Sequence, residues 1–137
     1  MKKRTIYWWV PLFIGCLIYA SFRTDYLIYN KLLGNLFTPL TSTDTFLERV
    51  IIFSLPGGLW AMSYSILIFH IRKDKTFRTI IWSLIIPFIG VFSEIGQFYF
   101  LIPGTFDVMD LIMYIVAPSL VIRLISVSYT HLRAHET

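Results

Sequence analysis

Apolar residues fall into four runs, 6–22, 50–71, 79–100 and 108–125. Each is close to the ~17–25 residues a helix needs to cross the hydrocarbon core of a bilayer. A long polar stretch, 23–49, separates the first two runs. Short ones, 72–78 and 101–107, separate the others. The pattern predicts an all-α fold, a polytopic four-helix transmembrane bundle forming one domain over 1–126. Thr45 with Glu48 three residues later has the form of a capping box, so a helix is expected to start there and run toward Leu55. Pro56-Gly57-Gly58 should then kink the helix or mark the start of the second span, the piece before it lying on or re-entering the outer surface.

Composition agrees with lipid as the solvent: 56% of residues are hydrophobic and 15% charged, too apolar for a water-soluble domain. The net charge of +4 could suggest nucleic acid. However, Lys2, Lys3 and Arg4 form one basic cluster and Arg72, Lys73, Lys75 and Arg78 another, and both flank apolar runs. Such placement follows membrane topology, so no nucleic-acid partner is expected. The positive-inside rule puts both termini in the cytoplasm, and Arg123 agrees. The 23–49 loop, where Arg23, Lys31 and Arg49 balance Asp25, Asp44 and Glu48, is then external. The first run reads as an uncleaved helix rather than a signal peptide, because three more hydrophobic runs follow. Trp8, Trp9 and Trp60 read as interfacial or packing aromatics, Cys16 as a packing cysteine and His70 as an interfacial residue.

Residues 127–137, VSYTHLRAHET, carry no apolar period and match the in-frame translation of a transposon-type sequencing adapter. We read them as an assembly artefact, expect them to add nothing to the bundle, and leave His131 and His135 out of the chemistry.

The candidate chemistry lies between Ser93 and Tyr114. Glu94 and Gln97 share a helix face with Ser83, Pro87 and Gly90, a small and polar stripe on an otherwise apolar helix. Such a stripe should face protein, because an ionisable group in lipid costs ~2.5–3.5 kcal/mol at the bilayer centre. Asp107, Asp110, Tyr114 and Ala117 form a matching stripe after the Pro103-Gly104 turn. The two stripes should pack through Gly90 and Ala117, joining three carboxyls and an amide near the outer face. Each residue also has a plainer reading: Asp107 as a helix cap, Gln97 as interhelical glue, and Glu94 and Asp110 as neutral or paired structural groups.

At these positions the chain resembles the VanZ-like family of small bacterial membrane proteins. The shared signature is a glutamate and a glutamine three apart, a Pro-Gly turn, then two aspartates three apart: Glu94, Gln97, Pro103, Gly104, Asp107 and Asp110. It covers about the last third of the chain before residue 127. Thr105 stands where many relatives have arginine, and Tyr114 where they have asparagine. Arg23 or Arg49 from the outer loop could supply the missing cation.

The resemblance implies a cell-envelope protein of the bacterial cytoplasmic membrane, with membrane lipid and envelope components as partners. Its expected role is binding a head group, ion or partner at Glu94, Gln97, Asp107, Asp110, Tyr114 and Arg23. No cofactor or resident metal is expected, and catalysis is less expected than binding. An enzyme using paired carboxylates for acid/base chemistry, or for holding a hard cation such as Mg²⁺, is the alternative. A transporter component is the second.

Overall fold

The computed structural model describes residues 7–23, 28–34 and 45–134. Lys2, Lys3, Arg4, Asp25 and Asp44, which enter the charge argument above, lie outside them. The elements are α1 (Trp9–Phe22), α2 (Ile28–Leu32), α3 (Phe46–Arg49), a π-helical turn (Val50–Ser54), α4 (Leu55–Arg72), α5 (Phe77–Phe98) and α6 (Val108–Ala134). The described residues contain no strand. Three helices are long and apolar enough to cross a membrane: Phe46–Arg72, Phe77–Phe98 and Val108–Ser126. α1 has 14 residues, about 21 Å at the helical rise and shorter than a bilayer core.

The expected capping box forms: Thr45 N donates to Glu48 Oε2 at 3.1 Å, and Glu48 N to Thr45 Oγ1 at 3.3 Å. From there the helix continues unbroken through Pro56-Gly57-Gly58 to Arg72. The expected start of the span at Pro56 is therefore replaced by a local change of pitch. Pro56 has no N–H to return to the carbonyl four residues back, and the Leu55 N–H instead reaches five back to Val50 O. The chain absorbs the proline by widening one turn.

Burial is inverted relative to a water-soluble bundle. Ser65, Thr79 and Ser83 are fully buried, whereas Phe92 and Leu124 are 68% and 64% exposed. The outward faces of α1, α5 and α6 carry Phe13, Leu17, Ile89, Phe92, Ile115 and Leu120. Displaying them in water would cost ~25 cal/mol per Å², so this surface needs an apolar solvent. Length, composition and this outward face suit these helices to crossing a membrane. Cys16 belongs to the outward surface and is exposed, which corrects its reading as a packing residue.

α4 is the centre of the bundle and touches α1, α5 and α6, and α5 and α6 touch each other. Small residues allow the close approaches. A methyl group at Gly15 of α1 would stand 2.6 Å from Trp60 Nε1, so Trp60 is a packing aromatic. Proline and serine cooperate at α4 and α5. Pro87, inside α5, has no N–H for the carbonyl of Ser83, and Ser65 Oγ of α4 donates to that carbonyl at 2.8 Å. Ser63 Oγ likewise donates to Trp8 O at the start of α1, at 2.5 Å. Beyond residue 126 the backbone stays helical through Ala134, contrary to the lack of helical period there. Once a helix is nucleated each further residue adds a bond, so extension needs no buried face.

Candidate functional site

The turn between α5 and α6 brings the two polar stripes together. Phe100, with φ 58°, ends α5, and Leu101 N donates to Gly96 O at 2.8 Å. Gly104 has φ 141°, and a Cβ there would also collide with the Gln97 side chain at 2.7 Å. Gln97 thus packs on the turn backbone and reaches Ser93 Oγ, at 3.4 Å. Its amide braces the turn and bonds within α5.

Glu94 is buried on α5, 5% exposed, and Glu94 Oε2 accepts the Asp107 N–H at 3.1 Å. Asp107 is exposed and caps α6 itself, Oδ1 accepting from Met109 N at 2.7 Å. Two carboxylates therefore satisfy N–H groups at one helix start, where the macrodipole also favours negative charge. Asp110, in the first turn of α6, is half-buried and lies within the electrostatic reach of Glu94.

Tyr114, one turn deeper, locks the helices. A Cβ at Gly90 would stand 2.6 Å from its Cδ1, and one at Gly57 3.0 Å from its hydroxyl. The ring fills the notch of Gly90 on α5 while the hydroxyl reaches Gly57 on α4, in the field of both Asp110 and Glu94. The α5–α6 contact expected through Gly90 and Ala117 is thus made at Gly90 by Tyr114.

The cation comes from α1. The Arg23 guanidinium lies 4.8 Å from the Tyr19 ring centroid and 5.2 Å from that of Phe53, and its charge acts on Asp110. Two aromatic faces hold it by cation–π attraction. Arg49, the other candidate, is exposed on α3.

Sequence reasoning missed Ser54. It closes the π-helical turn, is 2% exposed, and faces the Asp110 carboxyl as a hydroxyl donor. Ser54 Oγ and Asp110 Oδ1 are both buried and make no bond of ordinary geometry among the described residues. The signal was Pro56: a proline in an apolar helix forces the preceding turn to change pitch, and π turns recur at functional sites. Asn30 of α2 is also fully buried, and nothing in its surrounding sequence marks it.

No set of three or more His, Cys, Asp or Glu among the described residues is arranged to hold a metal ion. The chain matches no protein-family model, no curated protein and no solved structure.

Proposed function

We propose that this is a VanZ-like protein of the bacterial cytoplasmic membrane. In this reading it has four spans, both termini are cytoplasmic, and the acidic end of the bundle binds a polar head group at the outer leaflet. The family reading rests on Glu94, Gln97, Pro103, Gly104, Asp107 and Asp110. The topology rests on the basic clusters before α1 and between α4 and α5. The observation that carries the binding reading is the meeting of Glu94, Asp110 and Tyr114 with the Arg23 cation at one end of an apolar bundle. Ionisable groups inside a membrane protein are costly and are retained where they serve a site. The geometry supplies hydrogen-bond acceptors, a cation and apolar walls, and no nucleophile–base pair is evident in it.

The test is lipid retention. The purified protein and its Glu94→Gln, Asp110→Asn and Arg78→Gln variants are released from detergent and weighed with whatever they hold by native mass spectrometry. Wild type and Arg78→Gln should carry head-group-bearing molecules that the two acidic-end variants lose. Identical retention by all four proteins would overturn the binding reading.

A further inference from the structure

We propose that the α5–α6 turn is an interfacial anchor, Tyr99, Phe100 and Leu101 inserting among lipid chains just below the head groups. This rests on the membrane-spanning part of the reading above and is independent of what the acidic end binds. The first ground is backbone conformation. Leu101 N donates to Gly96 O at 2.8 Å and Phe100 N to Gln97 O at 3.0 Å, the paired bonds of a Schellman motif closing α5. The left-handed position of that motif usually holds glycine, because a Cβ is disfavoured there. Here it holds Phe100, at φ 58°. Contacts within the described chain do not offset that cost, since the Phe100 side chain is 94% exposed. The turn is also firmly held: Ile102 folds back on Gly96, where a Cβ would stand 2.7 Å from Ile102 Cδ1. A bulky apolar side chain fixed in a strained position and aimed away from its own protein has its partner outside it.

Continuity of the surface identifies lipid as that partner. Phe88, Phe92, Ile95 and Tyr99 follow at steps of four and three, so they line one exposed stripe of α5. The stripe runs without a break into Phe100 and Leu101, the latter 80% exposed. Length places the turn at the right depth. The 22 residues of α5 rise about 33 Å, against a hydrocarbon core of about 30 Å, so with Arg78 at one boundary the turn falls at the other. Between Arg78 and Asp107 the one charged residue is Glu94, which is buried. A docking patch for a protein partner would carry a polar rim, and this turn shows none. Phe98 packs edge-to-face on both Tyr99 and Phe106, with centroids 5.2 Å apart in each pair. Tyrosine in such a cluster suits the membrane–water boundary, its ring in the apolar layer and its hydroxyl toward the head groups.

Nitroxide labels on the full chain in phosphatidylcholine nanodiscs, read by electron paramagnetic resonance, test the anchor. In a Cys16→Ser background the labels go on Phe100→Cys and, separately, on Leu101→Cys, so that one can stand in if the other fails to accumulate. Phe92→Cys is the lipid-facing reference and Lys73→Cys the aqueous one. At positions 100 and 101 the label should collide with dissolved oxygen several-fold more than with a water-soluble nickel chelate, as at 92, and the order should reverse at 73. Nickel-dominated collisions at 100 and 101, with oxygen still dominant at 92, overturn the anchor and leave the membrane reading standing. Nickel dominance at 92 as well overturns both. Shielding of position 100 from both agents, with spin–spin broadening between copies in liposomes, puts a second copy in the place of lipid and also overturns the proposal.

Discussion

The two ends of the bundle handle their polar groups in opposite ways. At the turn between α4 and α5 the polar groups satisfy one another. Arg72 Nε donates to Thr79 Oγ1 at 2.9 Å, Thr79 Oγ1 donates to Asp74 Oδ1, Thr76 Oγ1 donates to the same oxygen at 3.0 Å, and Lys75 Nζ donates to Ile125 O. Hydrogen bonding, first from Thr79, holds the Asp74 carboxyl below the usual carboxylate range, and burial pushes the Lys75 ammonium down. At the α5–α6 end Glu94 and Asp107 accept backbone N–H groups, yet Ser54 Oγ and Asp110 Oδ1 make no bond of ordinary geometry among the described residues. A closed network rigidifies a turn, whereas an open one leaves acceptors for something else. The contrast separates a turn whose polar groups are closed on one another from one whose groups are not.

The largest effect should come from blocking the lock between them. Gly90→Leu puts a side chain where the Tyr114 ring lies, at 2.6 Å from the first added carbon. Overpacking of this kind should destabilise the protein by about 3 kcal/mol, read as a lowered unfolding temperature in detergent. An unchanged temperature would mean that Tyr114 does not join the helices at this point.

A pair of identical substitutions sharpens the contrast. Ser65→Ala removes the donor to the Ser83 carbonyl that Pro87 leaves open and should cost about 1–2 kcal/mol. Ser54→Ala removes a hydroxyl that makes no bond of ordinary geometry among the described residues and should be near neutral for the unliganded protein. In a Pro87→Ala background, where α5 regains its own N–H, the Ser65→Ala cost should shrink. Equal costs for the two serines would erase the difference between satisfied and open polar groups.

The third test uses pH. Because the folded Asp74 carboxyl sits below its usual range, its stabilisation is present above the unfolded carboxylate pKa and is lost as pH falls through the folded value. Stability should therefore decline on acidification from about pH 4 downward. Thr79→Val, which removes the largest cause of the shift, should flatten that decline. An equally steep decline in Thr79→Val would show that Asp74 does not depend on this network.

The smallest effect is a gain. Lys73 ends α4 with φ 55°, a left-handed position that suits glycine. Lys73→Gly should raise stability by about 0.5–1 kcal/mol, since a side chain at that φ costs on the order of 1 kcal/mol. A loss would show that the lysine side chain is itself held at this end.

Hydrophobic run length by itself determined that the fold is helical and placed α5 and the start of α6 closely, because an apolar solvent allows a spanning backbone few alternatives. Spacing by three and four was enough to turn Ser83, Pro87 and Glu94 inward, and S/T-x-x-E was enough to predict the cap at Thr45 and Glu48. These are local rules, obeyed within one helix. What only the tertiary structure decided lies between helices: Tyr114 in the notch of Gly90, Ser65 answering the carbonyl freed by Pro87, Arg23 held by Tyr19 and Phe53, and Ser54 turned to Asp110. Run length says how long α1, α4, α5 and α6 can be, but not how they rotate against one another. That rotation is set by which small residues let which large ones in, and by where a proline forces one turn of helix to widen.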